Sequence, residues 1–148
     1  MSREDFDLDA FLPYRLNRAA EWASLRFATL YKARHGMTRP EWRTLANLGQ
    51  YGRLSAKQIC ELSTQHKTKV SRAVAALEAR KWLRREPNTD DRREEWLELT
   101  SQGRRIYVEL SELGLGCDRE LETLLGAKGA QSLRDGLAAI EELMTPKK

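Results

Sequence analysis

Between positions 65 and 85 the chain places seven Lys or Arg (Lys67, Lys69, Arg72, Arg80, Lys81, Arg84 and Arg85) against one acid, Glu78. This stretch, about one-seventh of the protein, carries +6, whereas the whole 148-residue chain carries +4. Inside it Val70, Val74 and Leu77 recur at i, i+4 and i+7, the spacing of a helix with one apolar face. The positive charge therefore sits on an ordered helix and the turns after it. A basic helix with a built-in orientation is how proteins address the DNA major groove.

Composition limits what such a helix can belong to. With 41% hydrophobic and 32% charged residues, nine Gly and four Pro, the chain has the make-up of a globular domain with one core. No apolar run approaches the roughly 18 residues of a membrane span, and the acidic start MSREDFDLDAF lacks the layout of a signal peptide. A cytoplasmic protein without a membrane partner is expected. Cys60 and Cys117 belong to no CxxC and no Cys/His cluster, which argues against a metal site and for two half-buried thiols. Two His, no glycine-rich phosphate loop and no HExxH leave an enzyme no chemistry to work with, and no cofactor is expected.

Helical signals dominate the rest. Leu12, Leu16, Ala19, Ala20, Ala23, Phe27 and Leu30 repeat at three- and four-residue steps, predicting one amphipathic helix over 8–34. A helix of about 25 residues is too long for an isolated small core and wants a partner. Thr38-Arg-Pro-Glu41 and Ser55-Ala-Lys-Gln58 both fit the capping box, so two short helices should start there. Between them Gly49-Gln-Tyr-Gly52 reads as a turn. After the basic helix, residues 82–85 read as a strand and 87–91 as a turn. Residues 95–99 then alternate apolar and acidic, with Leu97 and Leu99 on one face, which completes a β-hairpin. Two helical stretches, 101–125 and 130–144, follow, with Gly114 and Gly116 marking a bend or a close helix crossing in the first. Residues 53–105 hold 13 basic and 8 acidic residues (net +5), and the remainder 13 and 14 (net −1). The middle is the part suited to DNA.

The succession of a helix, two capped helices, "STQHKTKVSRAVAALEARKWLRRE" and "PNTDDRREEWLELTSQG" resembles the MarR (multiple antibiotic resistance regulator) family along nearly the whole chain. The specific pieces are Val70-Ser71-Arg72, Leu77-Glu78, Asp91-Arg92-Arg93, and the step from Leu99-Thr100 to Gly103. The resemblance implies a mainly α chain with a small β-hairpin wing. A winged helix-turn-helix would span 38–100, and helical dimerisation regions 1–37 and 101–148 would intertwine with a second copy. It also implies a homodimer on a palindromic operator, a wing in the minor groove, and a small phenolic or aromatic acid bound between dimer region and DNA domain. The chain would then be a ligand-responsive repressor. Where relatives often have a small turn residue, an apolar residue and an Asp cap, this chain has Thr64-Gln65-His66, a more polar entry to the recognition helix.

Projecting that helix at about 100° per residue assigns the readers. With Val70, Val74 and Leu77 inside, Gln65, Lys67, Thr68, Lys69, Ser71 and Arg72 face out or flank the outer face. Arg72 and Lys69 suit guanine acceptors or phosphate, Gln65 suits adenine, and the hydroxyls serve either. Ala75, Ala76 and Ala79 are too short to reach base edges, so only the first half reads sequence. His66 is expected to be structural or to contact phosphate. In the wing, Arg93 first and Arg92 second are candidates for the minor groove. Asp91 is placed to orient the Arg93 guanidinium, and Asp90 and Asp91 also suit an Asx turn, a role that does not exclude the first. Glu94 and Glu95 are expected to pair with Arg92 or Arg93.

Arg15, Arg18, Trp22 and Arg26 fall within an arc of about 80° on the first helix, away from its leucines. Such a stripe suits an anionic aromatic ligand, a phenolic acid or an aromatic acyl thioester of coenzyme A, unless these arginines pair with acids of a partner subunit. His35 and Trp42 are secondary candidates with packing as the competing role. Two further readings are redox sensing through Cys60 or Cys117 and nonspecific architectural DNA binding. The former needs an exposed, low-pKa thiolate, and the latter needs basic charge spread more widely.

Overall fold

The computed structural model describes residues 5–145. These fall into two compact units, a central one of residues 25–113 and a terminal one formed by 5–24 with 114–145. The elements in order are α1 (Leu12–His35), α2 (Arg39–Tyr51), α3 (Ala56–Ser63), α4 (Lys67–Ala79), β1 (Leu83–Pro87), β2 (Glu95–Leu99) and α5 (Ser101–Met144). A 3₁₀ turn, Leu8–Ala10, precedes α1. The helix predicted to begin at residue 8 therefore begins at Leu12, because the Asp7 carboxylate holds the Asp9 N–H and closes a separate turn first.

In the central unit, local chemistry sets each helix start. Thr38 Oγ1 accepts the Glu41 N–H at 3.3 Å and the Glu41 carboxylate accepts the Thr38 N–H at 3.1 Å, a complete capping box at α2. Ser55 and Gln58 repeat it at α3, with distances of 3.2 and 2.9 Å. The turn predicted over 49–52 is corrected: α2 runs through Gly49 and stops only at Gly52, whose φ of 78° ends it. Gly49 is needed for packing, since a Cβ there would lie 2.4 Å from the Tyr107 ring of α5. Helix α4 ends with Lys81 in the left-handed region (φ 65°) and the Trp82 N–H on the Leu77 carbonyl at 3.1 Å, a Schellman arrangement.

Strands β1 and β2 pair antiparallel, with Leu83 opposite Leu99 and Arg85 opposite Leu97. Leu54 adds a third position through two backbone bonds to Leu97, of 3.0 and 2.8 Å. Leu45, Leu48, Ile59, Val70, Val74, Leu77, Leu83, Leu97 and Leu110 form one buried cluster with Tyr31, Met37 and Trp82. Each such side chain contributes about 1.5–3 kcal/mol by leaving water. The apolar face of the basic helix is thus fixed against α2, α3 and the hairpin, which leaves its other face outward.

Thr100 joins the hairpin to α5. Its N–H donates to the Trp82 carbonyl (3.0 Å), its hydroxyl donates to the Lys81 carbonyl (2.7 Å), and its Oγ1 accepts the Gly103 N–H (3.1 Å). In the terminal unit, α5 passes through Gly114 and Gly116 without interruption and breaks instead at Gly126 (φ 74°, ψ 164°). The predicted division between 101–125 and 130–144 stands, but the bend is not at Gly114 or Gly116. Leu12, Leu16, Trp22, Leu124, Leu133, Leu137, Ile140 and Leu143 are all exposed in this unit. Among the described residues no helix is long and apolar enough to cross a membrane.

Candidate nucleic-acid interface

The entry to α4 is built from polar side chains. Thr64 adopts a left-handed conformation (φ 52°) that closes α3, and the Gln65 N–H returns to the Cys60 carbonyl at 3.2 Å. His66 then caps the helix: its Nδ1 accepts the Thr68 N–H at 3.2 Å, the role an Asp or Ser plays elsewhere. The structural role expected for His66 is therefore this cap. Lys67, Thr68, Lys69, Ser71 and Arg72 are all exposed, while Val70, Ala73, Val74 and Leu77 are buried. Gln65 is half-buried, its amide donating to Ser63 Oγ at 2.9 Å, so it must leave the turn to reach a base edge.

Three of the seven cations of the basic segment are engaged by other groups of the fold. Arg80 donates to the His35 carbonyl at 2.5 Å, stacks 4.7 Å over Trp82 and lies 3.7 Å from Glu41. Arg84 pairs with the cross-strand Glu98 (Nε to Oε1, 2.6 Å), which holds the Glu98 carboxyl below its ordinary pKa, Arg84's hydrogen bond being the main cause. Arg85 reaches Glu95 at 3.0 Å and Glu78 at 3.1 Å. The other four, Lys67, Lys69 and Arg72 on the first half of α4 and Lys81 just after it, are exposed.

At the wing tip, Asp91, Arg92 and Arg93 are exposed. Two expectations are corrected here. Asp91 accepts the backbone N–H of Arg93 at 3.0 Å, an Asx turn, and does not bind its guanidinium. The local N–H lies within reach of a short carboxylate, and the long Arg side chain is left to project. Glu95 pairs with Arg85 of β1 instead of with Arg92 or Arg93, because the antiparallel register sets it opposite Pro87, beside Arg85 on the neighbouring strand. Asn88 completes the turn, its side-chain oxygen accepting the N–H groups of Asp90 (3.0 Å) and Asp91 (3.1 Å).

Between α3, α4 and the hairpin lies a cleft of about 610 Å³. Lys67 and Ser71 of α4 and Arg92 and Arg93 of the wing line it together, with Lys57 and Cys60 of α3 and Arg85 of β1. Helix and wing therefore present their cations to a common opening. Lys57 is not among the residues singled out from the sequence, and Arg85 enters there only as part of the basic run. No local pattern assigns either to this cleft, since only the packing of α3 and β1 beside α4 brings them here.

Residues 35–94 match the MarR family model. Over these residues the chain is similar to the MarR family, and α2 to α4 with the hairpin have the layout of a winged helix-turn-helix. Solved structures of similar fold extend the likeness to most of the chain. A MarR family transcriptional regulator from Silicibacter pomeroyi is 26% identical, with a TM-score of 0.77 over 95% of this chain and 93% of that one. BpsR of Bordetella bronchiseptica, described with 6-hydroxynicotinic acid as regulator of its DNA binding, is 18% identical, with a TM-score of 0.80 over 92% and 96%. NadR, solved with 4-hydroxyphenylacetate, is 22% identical, with a TM-score of 0.77 over 99% of both chains. No curated protein sequence matches the chain.

The residues considered for an effector fall in both units. Arg15, Arg18 and Trp22 are exposed in the terminal unit, with Arg18 3.9 Å from Asp9 and 5.7 Å from the Tyr14 ring centre. Arg26 is exposed in the central unit and is already engaged by a partner. His35 contacts both Glu109 carboxylate oxygens at 3.3 Å and meets the Trp82 ring edge-on. Trp42 packs against Phe27 and Tyr31. Both take the packing role. Cys60 is half-buried and borders the cationic cleft, and Cys117 is half-buried in the terminal unit.

Proposed function

We propose that the chain is a sequence-specific DNA-binding transcription regulator, acting as a homodimer on a palindromic operator and released by a small anionic aromatic ligand. The observation that carries this reading is the shared opening: Lys67 and Ser71 of the recognition helix and Arg92 and Arg93 of the wing line one cleft. Phosphate contacts from the lysines position the helix, Arg72, Thr68 and Gln65 read base edges in the major groove, and Arg93 enters the adjacent minor groove. Asp91 serves this by fixing the wing backbone at Arg93.

The dimer reading is supported by the terminal unit. Leu133, Leu137, Ile140 and Leu143 recur at helical spacing, are 39–85% exposed, and want a cover. A second copy of the same unit provides one, the regions 1–37 and 101–148 forming the interface. Two recognition helices then enter successive major grooves about 34 Å apart. A ligand that binds better to a dimer with another spacing weakens DNA binding by that difference in affinity. The effector proposal rests on Arg15, Arg18 and Trp22, whose guanidinium forks and exposed ring suit an aromatic carboxylate. It draws support from the aromatic acids named for NadR and BpsR.

Footprinting of the DNA upstream of the chain's own gene tests the proposal. A specific dimer protects a palindrome with half-sites about one helical turn apart. Uniform protection that follows no sequence would replace this reading with architectural binding.

A further inference from the structure

Arg85 lies outside the recognition helix and below the wing tip, yet its guanidinium joins three elements. It stands on β1, its Nη1 reaches Glu95 of β2 at 3.0 Å, and its Nε reaches Glu78 near the end of α4 at 3.1 Å. Hydrogen bonding to Glu95, then Glu78, holds its pKa above the ordinary arginine value. Glu78 is the only acid between positions 65 and 85, and it sits one turn beyond the half of α4 offered to DNA. On the hairpin's opposite side Arg53 stacks 4.7 Å over Trp96 and lies 3.8 Å from Glu86. Cationic clamps thus hold the wing on both sides.

We propose that Arg85 is a positioning residue for DNA recognition: its planar fork ties the wing to α4 and fixes the angle at which Arg92 and Arg93 reach the minor groove. The physical case is geometric. The tip arginines stand within the turn of residues 88–94, beyond the strands, so a small rotation of the two-stranded base carries them with it. The buried anchors of the hairpin, Leu83 and Leu97, fix its inner face but not its tilt relative to Glu78. A guanidinium presents two donor edges in a rigid plane and can hold two carboxylates at a set angle, which a lysine cannot. The acids beside the DNA face would, by charge alone, repel phosphate. Their place in the clamp explains why they stand there.

This inference rests on the DNA-binding reading above, and the test separates the two. Glu78→Gln with Glu95→Gln removes both carboxylates and makes the DNA face more positive. If Arg85 acts only as a charge near phosphate, the double variant binds operator DNA as well as or better than wild type. If Arg85 positions the wing, the variant binds about three- to fivefold more weakly, the scale of one partly exposed ion-pair network. Hydroxyl-radical protection of the minor groove under the wing fades, while protection in the major groove persists and reports a folded helix-turn-helix. Arg85→Lys, which keeps the charge, gives the same selective loss. Combining the double variant with Arg93→Ala adds little, because both act through the wing tip. Equal or tighter binding with an intact wing footprint overturns the positioning role and leaves DNA binding standing. Wild-type protein that protects no DNA at all overturns both.

Discussion

Gly103→Ala strikes at the joint between the hairpin and α5. A Cβ on residue 103 would lie 2.0 Å from the Trp82 carbonyl oxygen and 2.8 Å from its carbon. An ordinary carbon–oxygen contact is about 3.3 Å or more, so the two backbones must part by about 1 Å. That oxygen accepts the Thr100 N–H, and Thr100 in turn holds the Lys81 carbonyl and the Gly103 N–H, so one displacement strains three hydrogen bonds. Overpacking costs about 1–3 kcal/mol and a lost hydrogen bond about 1 kcal/mol, while Ala in place of a helical Gly returns at most about 1 kcal/mol. The expected net loss is about 1–3 kcal/mol, a fall in Tm of roughly 3–9 °C for a chain of this length. Thermal unfolding followed by circular dichroism, with wild type and variant at equal protein concentration, reads it directly. An unchanged or raised Tm would mean that only helix propensity responded. The close approach of α5 to the turn after α4 would then be wrong.

Lys81→Gly should stabilise the protein by about 0.5–1 kcal/mol, since the left-handed conformation costs Lys about 1–2 kcal/mol and the extra chain entropy of Gly returns part of that; a lower urea midpoint would contradict it. Glu109 is held below its ordinary pKa by Arg34 first and then by His35. A depressed carboxylate pKa gives stability that is present above the unfolded value of about 4.3 and is lost as pH falls through the folded value. Glu109→Gln should therefore be less stable than wild type near pH 6, with the gap closing as the pH falls below the unfolded value; a gap independent of pH would refute the ion pair's contribution. Arg93→Ala should weaken operator binding and lower the slope of log K against log salt by about 0.9, and an unchanged slope would remove Arg93 from the DNA.

The parts of this chain legible from sequence are those set by neighbours a few residues away. Spacing alone put Val70, Val74 and Leu77 on one face, and the hydroxyl-to-acceptor spacing at Thr38 and Ser55 located two helix starts, because capping is a contact within one turn. The division between 125 and 130 also holds, with its break at Gly126, whereas Gly114 and Gly116 do not interrupt the helix. The errors lie where a distant residue decides. Gly49 looked like turn chemistry, but Tyr107 is what requires it to lack a side chain. Glu95 was assigned to the tip arginines, but strand register hands it to Arg85. Asp91 suits both the Arg93 guanidinium and an Asx turn, and only the turn forms, because it orders fewer rotatable bonds. Lys57 carries no signal and Arg85 only that of the basic run, since a cleft shared by α3, α4 and β1 exists only after packing.

Fluorescence anisotropy of the purified protein, with a duplex from upstream of its own gene and a scrambled duplex of equal length at near-physiological salt, tests the central claim most directly. The account predicts a preference for the native duplex of about 10³-fold or more, and release on adding one member of a panel of aromatic acids and aromatic acyl-CoA thioesters. Equal weak binding to both duplexes, unmoved by every ligand, would contradict it.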